Sequence, residues 1–210
     1  MTEIKKIKAL SWSEFWLYTN RPDNYYSEYI LGIKGEPSRE MILGNVIHLA
    51  LEGADWKTEF KKHNFTADYE RTIETIIQYQ FPNIPEKEVW LGDFGKTYND
   101  IGCGISARVD GLDTKNHIIY ENKTGKSFWT QEKADTHGQL TLYSFIYREK
   151  YGVIPNLILF SINTGNGKVR MFETKRSEYQ INEFITQVRQ MVADLKSRGW
   201  WEQRVSTFRK

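Results

Sequence analysis

Apolar and polar positions along this chain follow two different periods, and the change from one to the other marks its elements. Near the start, Ser11-Trp-Ser-Glu14 fits a capping box ahead of Phe15, Trp16 and Tyr18, which predicts a first helix. Asn20-Arg-Pro22-Asp interrupts it, and Tyr25 to Leu31 continues as a second helical piece. Pro37-Ser38 precedes a helix ending at Gly53, with Met41, Leu43, Val46, Ile47, Ala50 and Leu51 over its apolar face. Another helix runs from Ala67 to Tyr79 and stops before Pro82. From Glu88 to Lys123 the pattern becomes that of two or three strands in a meander. A helix from Thr136 to Tyr151 ends at Gly152, and Leu157 to Ile162 is a continuous apolar run, the mark of a buried strand. Asn163 to Gly167 supplies turn residues leading into a strand over Val169 to Thr174. Ser177-Glu-Tyr-Gln180 opens a last amphipathic helix that buries Ile181, Phe184, Ile185, Val188, Met191, Val192 and Leu195. Helices before and after a mixed sheet predict an α/β chain, one unit over 1–210. Its first part, 1–85, is mainly helical, and 86–210 holds the sheet and the remaining helices.

One stretch of the strand region carries chemistry. Gly104-Ile-Ser-Ala-Arg-Val-Asp110-Gly-Leu-Asp113 and His117-Ile-Ile-Tyr-Glu121-Asn-Lys123-Thr-Gly125 read as the two strands of a hairpin, with Asp113 to Asn116 as turn residues. Glu121 and Lys123, two apart, share a strand face. If Asp110 lies on that face, two carboxylates and an ammonium meet in one small volume. Such hard oxygen donors suit Mg²⁺ or Mn²⁺, and a lysine beside the ion can hold or deprotonate an attacking water. Those are the requirements for hydrolysing a phosphodiester.

Each residue also has a plain structural reading. Asp110 can pair with Arg108 or Lys115, and Glu121 with Lys123 as an ion pair of small worth. His48 can pair with Glu52 one turn on. Gln139 can close a capping box with Thr136, and Tyr143 can be ordinary core.

Composition narrows the choice. With 40% hydrophobic and 27% charged residues the chain is globular in type. No run is long enough for a membrane span, and Met1 to Lys6 lacks the apolar core of a signal peptide. A single cysteine, Cys103, excludes an internal disulfide and argues against a cysteine-ligated metal, so a reducing cytoplasm is expected. A net charge of +2 rules out a polycation that coats nucleic acid indiscriminately, so phosphate contacts must come from local clusters. These are Lys5, Lys6 and Lys8; Lys123, Lys126 and Lys133; and Lys196, Arg198, Arg204, Arg209 and Lys210. Rings beside such residues can stack on unpaired bases, although most of the 7 Trp, 12 Tyr and 11 Phe are expected in the core. Trp200-Trp201 is expected to pack the last helix onto the sheet.

Five short motifs, in order, resemble those of the PD-(D/E)XK nuclease superfamily in its RecB-type exonuclease branch. Leu10-Ser-Trp-Ser13, followed by Arg21-Pro22 and Tyr25-Tyr26, resembles the opening helix of that branch, and Gly44-Asn-Val-Ile-His48 its glycine-to-histidine helix. Asp110-Gly111 resembles the first acidic motif, Glu121-Asn-Lys123-Thr-Gly125 the acidic-x-lysine motif, and Gln139-Leu-Thr-Leu-Tyr143 the helix that follows. The resemblance implies a central mixed β-sheet flanked by α-helices, a restriction-endonuclease-like core with an N-terminal helical elaboration. It implies metal ligation by His48, Asp110, Glu121 and the backbone carbonyl of Asn122, and a catalytic role for Lys123 on the water. Gln139 and Tyr143 would border the site, with Arg108 and Lys126 near the substrate. Some relatives hold an iron–sulfur cluster through four cysteines; here Arg21 precedes Pro22 and no cysteine follows Cys103, so no cluster is expected.

The leading expectation is a Mg²⁺- or Mn²⁺-dependent DNase. Its setting would be recombination, repair or phage DNA processing, with DNA as partner, no membrane, and a recombination or replication protein as a further partner. Exonuclease and structure-specific endonuclease action both remain open, as do a non-cleaving binding subunit, RNA as substrate, and the oligomeric state.

Overall fold

The computed structural model describes the backbone of residues 3–6, 9–92, 97–98 and 101–208, and the side chains of 9–92, 97–98 and 101–205. The chain opens with β1 (Glu3–Lys6) and β2 (Ala9–Ser11), then α1 (Trp12–Asn20), α2 (Pro22–Tyr25) and a π-helix over Tyr26–Ile30. Helices α3 (Arg39–Glu52), α4 (Trp56–Lys62) and α5 (Ala67–Ile77) follow. Next come β3 (Glu86–Trp90), β4 (Gly104–Ser106), β5 (Arg108–Asp113) and β6 (Ile118–Gly125). A crossover through α6 (Gln131–Thr136) and α7 (Gly138–Tyr151) leads to β7 (Asn156–Asn163) and β8 (Val169–Lys175). Helix α8 (Glu178–Ser197) and β9 (Val205–Phe208) complete the described residues.

Five strands form the central sheet in the order β3-β5-β6-β7-β8. All neighbours are antiparallel except β6 and β7, whose parallel pairing requires the helical crossover between them. One face is covered by α1, α7 and α8, which enclose Phe15, Leu140, Tyr143, Ile181 and Val188 with Ile119, Leu157 and Leu159 of the sheet. The other face carries α3, α4 and α5, with Leu43, Ile47, Phe60 and Ile73 against Ile162. This is the mixed sheet between helices that the alternating pattern predicted.

Local chemistry accounts for the boundaries. Ser11, Ser38 and Ser177 accept the amide of the residue three positions on, and Ser177 with Gln180 forms a full capping box. α3 and α7 end on Gly53 and Gly152 at φ 76° and 74°, in the left-handed region that glycine enters without strain. Trp56–Lys62 is helical where the sequence pattern shows no clear period, because Asp55 caps it and Trp56 and Phe60 are buried one turn apart.

Three expectations are corrected. The hairpin is shorter than the sequence pattern suggested: Gly104–Ser106 leaves it to pair parallel with β2, so only Arg108–Asp113 faces β6. The helix from Ala67 ends at Ile77, two residues early. The piece expected over Tyr25 to Leu31 is helical, as a π-helix over Tyr26–Ile30. The capping box at Thr136 does not form. Thr136 closes α6, donating its hydroxyl to Glu132 O, and His137 precedes α7 without a side-chain cap. Gln139 is thereby free to reach elsewhere. The side chains of Lys5, Lys6, Lys8, Arg209 and Lys210 lie outside the described residues. Among the described residues no helix is long and apolar enough to cross a membrane.

Candidate active site

The hairpin ladder between β5 and β6 runs Asp113↔Ile118, Leu112↔Ile119 and Gly111↔Tyr120, then stops. Continuing that register sets Asp110 beside Glu121 at the point where the strands part. The Asn122 N–H, which would have met a strand partner, donates instead to Asp110 Oδ2 at 2.6 Å. A carboxylate thus replaces a backbone carbonyl at the fork, a charge-assisted bond that holds Asp110 firmly.

Glu121 is buried, and Lys123 Nζ donates to its Oε1 at 2.6 Å and to Gln139 Oε1 at 2.6 Å. Gln139 Nε2 in turn donates to the Tyr143 hydroxyl at 2.6 Å, and that hydroxyl donates to Arg108 O at 2.8 Å. One continuous polar chain therefore ties α7 to both strands of the fork. Tyr143 is fully buried, so burial, with Glu121 and Asp110 nearby, raises its pKa and keeps it a neutral donor.

His48 enters from the opposite face of the sheet. Gly44, one turn earlier on α3, lies against Thr124 of β6, where an added Cβ would come within 2.9 Å of Thr124 Oγ1. That close approach brings His48 Nδ1 to 3.7 Å from Asp110 Oδ1. Burial lowers the His48 pKa and favours the neutral imidazole that can act as a ligand.

Glu88 joins this group, and the sequence reading did not single it out. On β3, Lys87↔Gly111 and Val89↔Val109 pair on either side, leaving Glu88 facing Asp110. Its backbone sits at φ 55°, a conformation that non-glycine residues adopt only at a cost of about 1–3 kcal/mol. Its carboxylate pairs with Arg108. Burial, then Asp110 and Glu52, push the Glu88 pKa up to about 7. Burial raises Asp110 also, and pushes Glu121 up to about 7, with the Asp110 charge adding to the effect.

Among the described residues, His48, Glu88 and Asp110 offer ligand atoms that all lie within 4.8 Å of one another, and Glu121 stands outside that trio. A cavity of about 70 Å³ lies between His48, Glu52, Glu88, Asp110 and Asn122. The donor set fits a hard divalent cation: carboxylate oxygens with one imidazole, with acidic neighbours raising the proton affinity of Glu88 and Asp110. Glu121 Oε2 is buried with no hydrogen-bond partner, an electron-rich oxygen open to a cation although Lys123 already pairs with Oε1. The larger groove of about 990 Å³ between α1, α2 and α8 is lined mostly by rings and uncharged polar groups, and the converging carboxylates are elsewhere.

The chain matches the family model of the PD-(D/E)XK nuclease superfamily over residues 9–207. It belongs to that superfamily. No curated protein matches it. A solved structure from Eubacterium rectale, described as a "Putative exonuclease", aligns over 92% of this chain and 82% of its own at 15% identity, with a TM-score of 0.62. At that identity the likeness speaks for the fold. For a PD-(D/E)XK nuclease chain, the fork between β5 and β6 brings Asp110, Glu121 and Lys123 together, with Gln139 and Tyr143 behind Lys123. His48 is at the fork's other side. The two residues expected near substrate have partners on this protein: Arg108 pairs with Glu88, and exposed Lys126 with Glu40 at 3.1 Å. Of the other three histidines, His63 caps α4 and meets Glu59 at 3.0 Å, His117 meets the Tyr147 hydroxyl at 2.9 Å, and His137 packs on Trp129.

Proposed function

We propose that this chain is a Mg²⁺- or Mn²⁺-dependent deoxyribonuclease that degrades DNA from its ends, serving recombination, repair or phage DNA processing. The observation that carries the reading is the Glu121–Lys123–Gln139 chain beside Asp110, in which a buried carboxylate oxygen lacks any partner. Membership of the nuclease superfamily supports phosphodiester hydrolysis. Asp110, Glu121, His48 and the Asn122 carbonyl are the proposed metal ligands, with Glu88 added from its place in the same cavity. The divalent cation, when bound there, supplies charge neutralisation at the phosphate and makes a water more acidic.

Lys123 does the rest with its own atoms. Two of its three N–H groups are taken by Glu121 and Gln139, which leaves one to hold the attacking water. Gln139, fixed by Tyr143, keeps the ammonium from swinging away, so the water is presented in one orientation. The water oxygen then bonds to phosphorus as the bond to the ester oxygen breaks on the opposite side; the water's proton passes to solvent, and the leaving oxygen takes one from solvent.

The test is electrophoresis of end-labelled linear and closed-circular DNA, each with Mg²⁺ or Mn²⁺ and with EDTA. Loss of linear DNA alone, abolished by EDTA, is expected. Cleavage of circles would turn the reading to an endonuclease, and no cleavage of either under any metal would overturn it.

A further inference from the structure

Pairing across three strands sets Lys123 opposite Ser161, and Ser161 opposite Arg170. Directly paired residues share a sheet face, so Lys123 and Arg170 lie on one side of one row, two strand spacings or about 10 Å apart. The segment after β6 turns back over that row. The Trp129 amide donates to Ser161 Oγ at 3.0 Å, and Asn163 Nδ2 donates to Lys126 O at 2.8 Å. Phe128 and Trp129 are therefore laid beside the row that begins at Lys123.

Each ring carries a cation. The Arg170 guanidinium sits 4.2 Å from the centre of Phe128, and Lys133 Nζ sits 4.2 Å from that of Trp129. Both rings are half-buried, and Arg170, Lys133 and Lys126 are exposed. His137 packs edge-on to Trp129 at 4.8 Å, steadying that ring from behind. Half-buried rings interleaved with exposed cations match the chemistry of a stacked, unpaired nucleic acid strand: bases have π-faces for the rings, and phosphates take the cations. A duplex offers no free base faces to such a surface.

We infer that Phe128 and Trp129, with Arg170 and Lys133, form a stacking ledge that delivers single-stranded DNA to Lys123. This rests on the nuclease reading and names the form of DNA that the site receives. On binding, Arg170 and Lys133 exchange the rings for phosphates, and the rings take bases in their place.

The experiment separates the two readings by measuring binding in EDTA, where cleavage is absent. Fluorescence anisotropy with a short labelled oligothymidylate and with a blunt duplex of equal length is the readout, on the full chain. The wild-type protein is expected to bind the single strand at least tenfold more tightly, and Phe128→Ala to lose roughly tenfold of that affinity. Arg170→Gln, an exposed change that leaves the rings in place, should weaken the single strand and flatten its salt dependence. Trp16→Ala is the control. That ring, 39% exposed on α1 with Arg21 at 5.7 Å, has the same chemistry off the row and should change nothing. Equal affinity for both DNA forms, or unchanged binding in both Phe128→Ala and Arg170→Gln, overturns the ledge whether or not the protein cleaves DNA. A protein that shows the single-strand preference but cuts nothing with either metal keeps the ledge and loses the nuclease.

Discussion

Two glutamates, Glu14 on α1 and Glu121 on β6, are both buried, each bound through Oε1 to a cation while Oε2 finds no hydrogen-bond partner. Burial raises the pKa of both. Their surroundings differ. Glu14 Oε1 takes Arg204 at 2.8 Å and the Tyr25 hydroxyl at 3.2 Å, and the Arg204 guanidinium lies 3.6 Å from the centre of the Trp201 ring. Neither side chain of that pair reaches water, at 0% and 1% exposure. Glu121 instead meets a lysine that is 23% exposed, and lies near Asp110 and His48, which themselves line a cavity. Burial with an unpartnered oxygen is thus shared by a clasp and a candidate centre. What separates them is whether the paired cation reaches solvent and whether further ligand-type side chains stand beside the carboxylate.

Breaking each pair should reveal the difference. Arg204→Ala strands Glu14 as an uncompensated buried charge and should cost about 3–5 kcal/mol in urea unfolding. Cleavage per folded molecule should be unchanged; a loss of rate in fully folded protein would erase the distinction. Lys123→Ala should do the reverse, lowering cleavage of linear DNA at least about a hundredfold with little change in the unfolding midpoint. Retained full activity would remove Lys123 from the mechanism.

A third test uses pH. The Glu121 pKa, about 7 in the folded protein, lies above its ordinary value, so the folded state binds the proton more tightly than the unfolded chain. Its contribution to stability is therefore complete at low pH and is lost as pH rises towards 7. The stability of the metal-free wild type relative to Glu121→Gln should fall between about pH 5 and pH 8, by at most about 3 kcal/mol. A flat difference would mean that Glu121 is already ionised in the metal-free protein. Smallest of all, Gln139→Ala should slow cleavage about tenfold by loosening Lys123, with about 1 kcal/mol of stability lost. An unchanged rate would show that Glu121 alone suffices to hold the lysine.

The helices were legible because their ends carry side-chain signals: Ser38 and Gly53, or Ser177 with Gln180, state their boundaries within a few residues. The buried strand Leu157–Ile162 was equally plain. Short elements such as β4 and α6 were not, since three to six residues hold less than two periods and depend on distant partners. At the site, the shared face of Glu121 and Lys123 follows from strand spacing and the place of Asp110 depends on the hairpin register, but Glu88 follows from neither. Its place depends on β3 pairing with β5 and on a positive φ, neither of which Glu86-Lys-Glu-Val-Trp90 announces. Gln139 was visible with two competing uses, and only the end of α6 at Thr136 decides between them.

The Asp113–Ile118 turn also counts. Asp113 binds the Asn116 amide at 3.0 Å and its side chain at 2.7 Å, which sets how many residues separate the two arms of the hairpin. Insertion of one residue there, far from any ligand, would slide β6 by a step and exchange its odd and even positions. Glu121 and Lys123 would then point where Asn122 and Thr124 now do, so a loop remote from the chemistry acts as the gauge that keeps the charges aligned.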